Sequence, residues 1–94
     1  MDQELYDFLV KLGFADEDII LLRMDCPGLD IISADRAFQN IKTVVRCGYP
    51  QEDLVGLIAA NPSFLLNNPQ DTQRILLALG DDVEAKLKAD PQLI

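Results

Sequence analysis

Two cysteines, sixteen acids and no histidine bound the chemistry open to this 94-residue chain. Cys26 and Cys47 stand 21 positions apart, and without histidine they offer no zinc-binding spacing. The general bases that remain are carboxylates, and they recur in a pattern. Glu17-Asp18-Ile19, Glu52-Asp53-Leu54 and Asp81-Asp82-Val83 are each an acidic pair followed by an aliphatic residue. A calcium loop gathers several oxygens within about a dozen residues around a glycine, and glycosidase chemistry sets two carboxylates across a cleft. The acidic pairs do neither. They read as helix starts, where an acid gains about 0.3 to 1 kcal/mol from the helix dipole. The chain is therefore expected to be no enzyme and to hold no metal or cofactor.

The cations are the second group with a capacity for recognition. Arg36, Lys42 and Arg46 fall on one face of a segment together with Gln39, Asn40 and Thr43. At about 100° per residue, Ala34, Ala37, Phe38, Ile41, Val44 and Val45 fill the opposite arc. Such a polar face can touch a phosphate backbone. The plainer account is a solvated face with Lys42 and Arg46 close to a helix C-terminus, where cations are favoured. The whole chain argues for the plainer account: 16 acids against 8 bases leave a net charge of −8, which opposes binding to a phosphate polymer or an anionic membrane surface.

Positioning these groups takes about six helices. Asp2 caps the first, whose Leu5, Phe8, Leu9 and Leu12 form one stripe ending at Gly13. A second starts near Asp16, carries Ile19, Ile20, Leu22 and Met24, and stops near Asp25 ahead of Pro27-Gly28. Ser33 caps a third over about 34–46, closed by Gly48. Pro50 fits the first position of a fourth, with Leu54, Leu57 and Ile58 inward as far as Asn61-Pro62. Asn68-Pro69 begins a fifth, with Ile75, Leu76 and Leu79 inward, and Gly80 ends it. A short sixth runs from about Asp82 to Lys88 with Val83 and Leu87 inward, and Asp90-Pro91 breaks it. Nothing alternates at period 2 for long enough to be a strand. Residues 1–94 read as a single domain, and Cys47 reads as a small buried residue with no disulfide expected.

The helices repeat. In each copy a proline lies nine positions after the second acid (Pro27, Pro62, Pro91), and two positions further stands Leu29, Phe64 or Leu93. A period of about 30 to 35 residues is the range in which helical units stack because no single one buries its own apolar face. In this register Arg23 occupies the column of Ile58 and Leu87. It reads as a snorkelling side chain at the free side of the outermost copy, or as a functional cation at a surface edge.

Leu12-Gly13-Phe14, Glu17-Asp18-Ile19 and Pro27-x-Leu29, followed by Gly48-Tyr49, Glu52-Asp53-Leu54 and Pro62-x-Phe64-Leu65-Leu66, resemble the repeat of the mitochondrial transcription termination factor (mTERF) family. A third copy, Leu79-Gly80, Asp81-Asp82-Val83 and Pro91-x-Leu93, is partial. The resemblance covers nearly the whole chain. It implies an all-α fold: a short right- or left-handed α-solenoid of about six helices, built from two full and two half repeats, with a 3₁₀ turn after each proline. It also implies nucleic-acid binding along a basic concave surface, whereas this chain is short and acidic and its N-terminus has no basic or hydrophobic leader character. Leu12-Gly13-Phe14 with its acid-rich helix start also looks like the glycine-aromatic loop of ubiquitin-associated domains, which bind protein partners through that loop.

The function expected is a small interaction module whose partner is a protein, with Arg23, Arg36, Gln39, Lys42, Thr43 and Arg46 as the candidate interaction surface. Nucleic-acid binding through Arg36, Lys42 and Arg46 is the alternative, and a ubiquitin-associated-like loop a further one. No apolar run approaches the roughly 20 residues that span a bilayer, and a reducing cytoplasm is the expected setting. Oligomeric state is not legible in the residues.

Overall fold

Asp2, Ser33 and Asn68 each cap a helix with the side chain, accepting from the backbone N–H of Glu4, Arg36 and Gln70 respectively. The computed structural model describes residues 1–94 and contains six α-helices, four 3₁₀ turns and no strand. The helices are α1 (Gln3–Leu12), α2 (Asp16–Asp25), α3 (Ala34–Arg46), α4 (Leu54–Ala60), α5 (Pro69–Leu79) and α6 (Val83–Ala89). The 3₁₀ turns are η1 (Pro27–Asp30), η2 (Gln51–Asp53), η3 (Pro62–Leu66) and η4 (Pro91–Leu93). Each of the three repeated prolines thus opens a 3₁₀ turn after a helix, because it can offer no N–H to continue the α ladder.

Gly13 and Gly48 take φ of 119° and 111°, a left-handed region that side chains rarely adopt. The turn folds the next residue back on the helix just ended: Phe14 N–H donates to Leu9 O at 3.1 Å and Tyr49 N–H to Val44 O at 3.2 Å. Both rings are buried. Tyr49, whose hydroxyl suggests a half-buried ring reaching water, is 4% exposed, slightly less than Phe14 at 6%.

α3 lies between α1 and α5 and packs on both, and η1 and η3 pack side by side. Phe8 and Phe38 meet across α1 and α3 with ring centroids 5.2 Å apart. Equivalent positions in the three copies share the core: Ile19, Leu54 and Val83 are all buried, as are Leu9, Val44 and Leu76. Leu29 and Phe64 are buried too, while the third member of that set, Leu93, is exposed at the last 3₁₀ turn.

Five readings of the residues change in the structure. Pro50 is not the first residue of α4; it precedes η2, where Asp53 N–H bonds Pro50 O at 3.1 Å, and the α-helix begins only at Leu54. Of the acidic pairs only the first supplies a side-chain cap, Asp18 Oδ2 accepting from Ala15 N–H at 3.0 Å. Asp53 reaches across to Lys88 instead, and Asp82 enters α6 from a left-handed conformation at φ 61°. Ile20 and Met24 point outward although α2 carries them beside Ile19 and Leu22. Cys47 is half-buried, with Cys26 buried, and both thiols are free.

The fifth correction is Asn40, placed by the helical period on the solvated arc of α3 and found fully buried. Its Nδ2 donates to Leu65 O at 3.1 Å and Asn67 O at 2.9 Å, and its Oδ1 accepts from Thr72 Oγ1 at 2.7 Å. Side chains further along make similar ties to main chain: Asn61 Nδ2 to Pro91 O at 2.8 Å, Asn67 Nδ2 to Ile94 O at 3.0 Å and Gln92 Nε2 to Ala60 O at 3.0 Å. Between the first copy and the second there is one such bond, from Ala34 N–H to Asp2 Oδ2 at 3.2 Å.

Candidate interaction surface

Arg36, Gln39, Lys42 and Arg46 are exposed along α3, and Thr43 is half-buried. Gln39 and Thr43 are engaged within their own helix: Gln39 Nε2 donates to Asp35 Oδ2 at 3.0 Å and Thr43 Oγ1 to Gln39 O at 2.8 Å. Arg36, Lys42 and Arg46 are different, since none of them takes part in any of the protein's ion pairs. They do not gather at one point. Lys42 and Arg46 flank a groove of about 300 Å³ floored by Phe8, Ile41, Val45 and Leu54. Arg36 stands about 9 Å back along the helix from Lys42 and about 15 Å from Arg46 at 1.5 Å per residue, beside Gly28, Ile31, Ile32 and Leu66.

Arg23 belongs to another surface. Its Nε donates to Asp30 Oδ1 at 2.6 Å, and the N-terminal ammonium lies 3.5 Å from the same oxygen. The guanidinium holds the Asp30 carboxyl below its ordinary value. Ile58 and Leu87, in the same column, are buried, whereas the Arg23 side chain is 41% exposed. The long side chain keeps its charge in water where an aliphatic residue would not, as a snorkelling arginine does.

The residues that sequence reasoning passed over lie beside Arg23. Ile20 and Met24 are 55% and 71% exposed on the outer side of α2, and Leu21, 58% exposed, stands round the helix at the groove that α2 shares with α4. One signal pointed to them. Ile19-Ile20-Leu21-Leu22 is an unbroken apolar run, and four successive helical positions wrap beyond any single buried face.

Neighbouring even-numbered helices share grooves with matching residues. Gly13, Phe14, Asp18, Leu21, Leu22 and Asp25 form one wall of a groove whose other wall is Val55 and Ala59 of α4. Tyr49, Asp53, Gly56, Leu57 and Ala60 form the corresponding wall of the next, faced by Leu87, Lys88 and Pro91. Lys88 bridges the second groove, its Nζ 2.8 Å from both Asp53 Oδ2 and Glu84 Oε2 and 6.0 Å from the centre of the Tyr49 ring.

Three groups titrate high for separate reasons. The Lys88 ammonium is held well above the ordinary lysine value by its bond to Asp53 first and to Glu84 second. Tyr6 is raised by its hydrogen bond to Asp16, and Tyr49 by burial. In each case the protonated form is the one the fold favours, so the contribution is complete below the unfolded value and is lost as pH rises through the raised one. The melting temperature is therefore expected to hold to about pH 9 and to fall progressively above about pH 10. Thermal melts across that range check it, and a flat profile to about pH 12 contradicts it.

No helix is long and apolar enough to cross a membrane. No protein-family model matches the chain, and no curated protein or solved structure matches it either.

Proposed function

We propose that the chain is a small helical-repeat interaction module that binds a protein partner and performs no catalysis. The observation that carries this reading is the exposure of Ile20, Leu21 and Met24 on α2. Large apolar side chains left exposed together on one helix of a small domain are the mark of a binding surface. The architecture we assign is a short α-solenoid of two full and two half mTERF-like repeats. It is supported by the 3₁₀ turn after each repeated proline and by the matching grooves between α2 and α4 and between α4 and α6. Capture from a lysate on the immobilised chain tests the reading, with Ile20→Ser/Met24→Ser as the comparison. Surface changes of this kind stay within about 0.5 kcal/mol of wild-type stability. Protein recovered by the wild type and lost with the equally stable variant is the expected result; identical recovery on both, or none on either, counts against it.

One observation favours nucleic acid as a second reading: Arg36, Lys42 and Arg46 have no carboxylate partner. Three phosphate contacts supply little against a net charge of −8. The expected result of a fluorescence anisotropy titration is a Kd for duplex DNA or RNA no tighter than about 10⁻⁴ M at physiological salt. Micromolar binding that weakens steeply with salt and disappears in Arg36→Ala/Arg46→Ala would replace the protein-partner reading with this one.

A further inference from the structure

Resting on the interaction-module reading, we propose that the outer face of α2 is the docking site for a cationic amphipathic helix of another protein. Two independent observations point there, one of register and one of charge.

In the repeat register Ile20 and Met24 occupy the places of Val55 and Ala59 on α4. Val55 and Ala59 are the residues that face α2 across the first groove. On α2 the same two places have nothing opposite them; with Arg23 and Asp30 they line a shallow concavity of about 240 Å³ open to solvent. The first unit thus presents one half of a helix contact that the fold completes at the next position. Ile20 and Met24 are four residues apart and form a ridge of the kind that seats in the groove of a facing helix. The flexible methionine adapts to the side chains brought against it.

The charge around that strip selects the partner. Asp16 and Glu17 are exposed at the N-terminal end of the strip, Asp16 accepting from the Tyr6 hydroxyl, and Asp25 is exposed just beyond Met24, where α2 borders its groove with α4. Arg23 is the one cation of α2; it shares Asp30 with the N-terminal ammonium, and Asp16, Glu17 and Asp25 outweigh the one positive charge left over. An incoming helix meets an apolar strip with a net negative rim, so lysines or arginines flanking its own apolar stripe are attracted and acids are repelled. A second copy fits poorly. Two α2 faces pressed together bring Asp16, Glu17 and Asp25 of both copies into one interface. Head-to-tail stacking instead presents the exposed Ala85, Lys86 and Ala89 of α6 beside Asp81 and Asp82, which offer no large apolar seat.

The test titrates a synthetic amphipathic helix of leucine and lysine into the full chain by NMR, alongside the same peptide with glutamate in place of lysine. Shift changes confined to α2 and η1 are expected with the lysine peptide alone. Affinity is expected to drop at least about tenfold in Ile20→Ser/Met24→Ser and in Glu17→Gln/Asp25→Asn, and to weaken with salt. The charge-matched control Asp35→Asn/Glu52→Gln, placed on other elements, is expected to bind as the wild type does. An equal loss in that control overturns the proposal, because bulk charge then accounts for the binding. Equal binding of the glutamate peptide at α2 overturns the partner chemistry and leaves the interaction module standing. Self-association in sedimentation equilibrium that is abolished by Ile20→Ser/Met24→Ser overturns it in favour of a second copy. Absence of any change at α2 with either peptide overturns the docking site, and the module reading falls with it only if lysate capture is also unaffected by that double substitution.

Discussion

Truncating Phe14 to alanine is expected to remove about 3 to 5 kcal/mol of folding stability, the range for a buried phenylalanine. The ring is 6% exposed and stands at the head of the groove between α2 and α4, with Leu22 and Val55 among its lining neighbours. It reaches that place because Gly13, at φ 119°, turns the chain so that the Phe14 N–H returns to Leu9 O. A small domain holds about 5 to 15 kcal/mol in total, and at this size each kcal/mol shifts the melting temperature by about 4 to 8 °C. The midpoint is therefore expected to fall by more than about 10 °C, measured by circular dichroism melts with urea titrations for the free energy. The result also separates two readings of one tripeptide. A glycine-aromatic loop of the ubiquitin-associated kind keeps its ring on the surface, so truncation would leave the midpoint in place and abolish partner binding instead. A loss below about 1 kcal/mol would favour that loop, since surface substitutions rarely cost more.

Replacing Asn40 by aspartate changes almost no volume and is nonetheless expected to cost about 3 to 5 kcal/mol at neutral pH, the penalty of a buried charge without a partner. The Nδ2 that donates to Leu65 O and Asn67 O, with Arg36 O also within 3.3 Å, becomes a carboxylate oxygen facing three carbonyl oxygens. No cation takes its place, since the nearby partners are backbone groups and the Thr72 hydroxyl. Burial raises the folded pKa of such an acid, so the destabilisation is greatest when it is ionised and shrinks as pH falls and it protonates. Urea melts of both proteins between about pH 4 and pH 7 check the magnitude and the sign together. A deficit under about 1 kcal/mol that does not vary with pH would show that Asn40 is not the buried hub of this network.

The same asparagine marks where the sequence stops being informative. Helix count, the caps at Asp2, Ser33 and Asn68 and the stops at Gly13 and Gly80 follow from residues within a turn of each other, and the periodicity displays them. Asn40 depends on groups 25 to 32 residues away, and local spacing cannot distinguish a polar residue facing water from one facing distant carbonyls. Pro50 was ambiguous for a different reason. A proline before a 3₁₀ turn and a proline at the first position of an α-helix leave the same mark, an absent N–H and a fixed φ. On α3 the division into two faces is plain, so Arg36, Lys42 and Arg46 could be placed on the exposed side. α2 has its apolar residues bunched at 19–22 and 24 with charges at both ends and at 23, so its periodicity selects no single buried face and does not mark Ile20 and Met24 as surface. Arg23 was placed at an edge by its column, but the Asp30 that holds it lies in η1 and could not be paired from spacing alone.

The side-chain ties between copies are unevenly distributed, which bears on which part of the fold opens most easily. The second and third copies are joined by Asn40 with Thr72, Asn61 with Pro91, Asn67 with Ile94, Gln92 with Ala60 and Lys88 with Asp53. The first is joined to the second by apolar contact and the single bond from Ala34 to the Asp2 carboxylate, which already caps α1 through its other oxygen. An opening event that releases α1 and α2 breaks few polar bonds, whereas one that starts at α5 and α6 must break several together. Native-state hydrogen exchange is accordingly expected to show the amides of α1 and α2 opening as a separate unit at lower free energy than those of α3 to α6. In pulse-labelling during refolding, the amides of α1 and α2 are expected to gain protection after those of α3 to α6, and simultaneous protection throughout contradicts this.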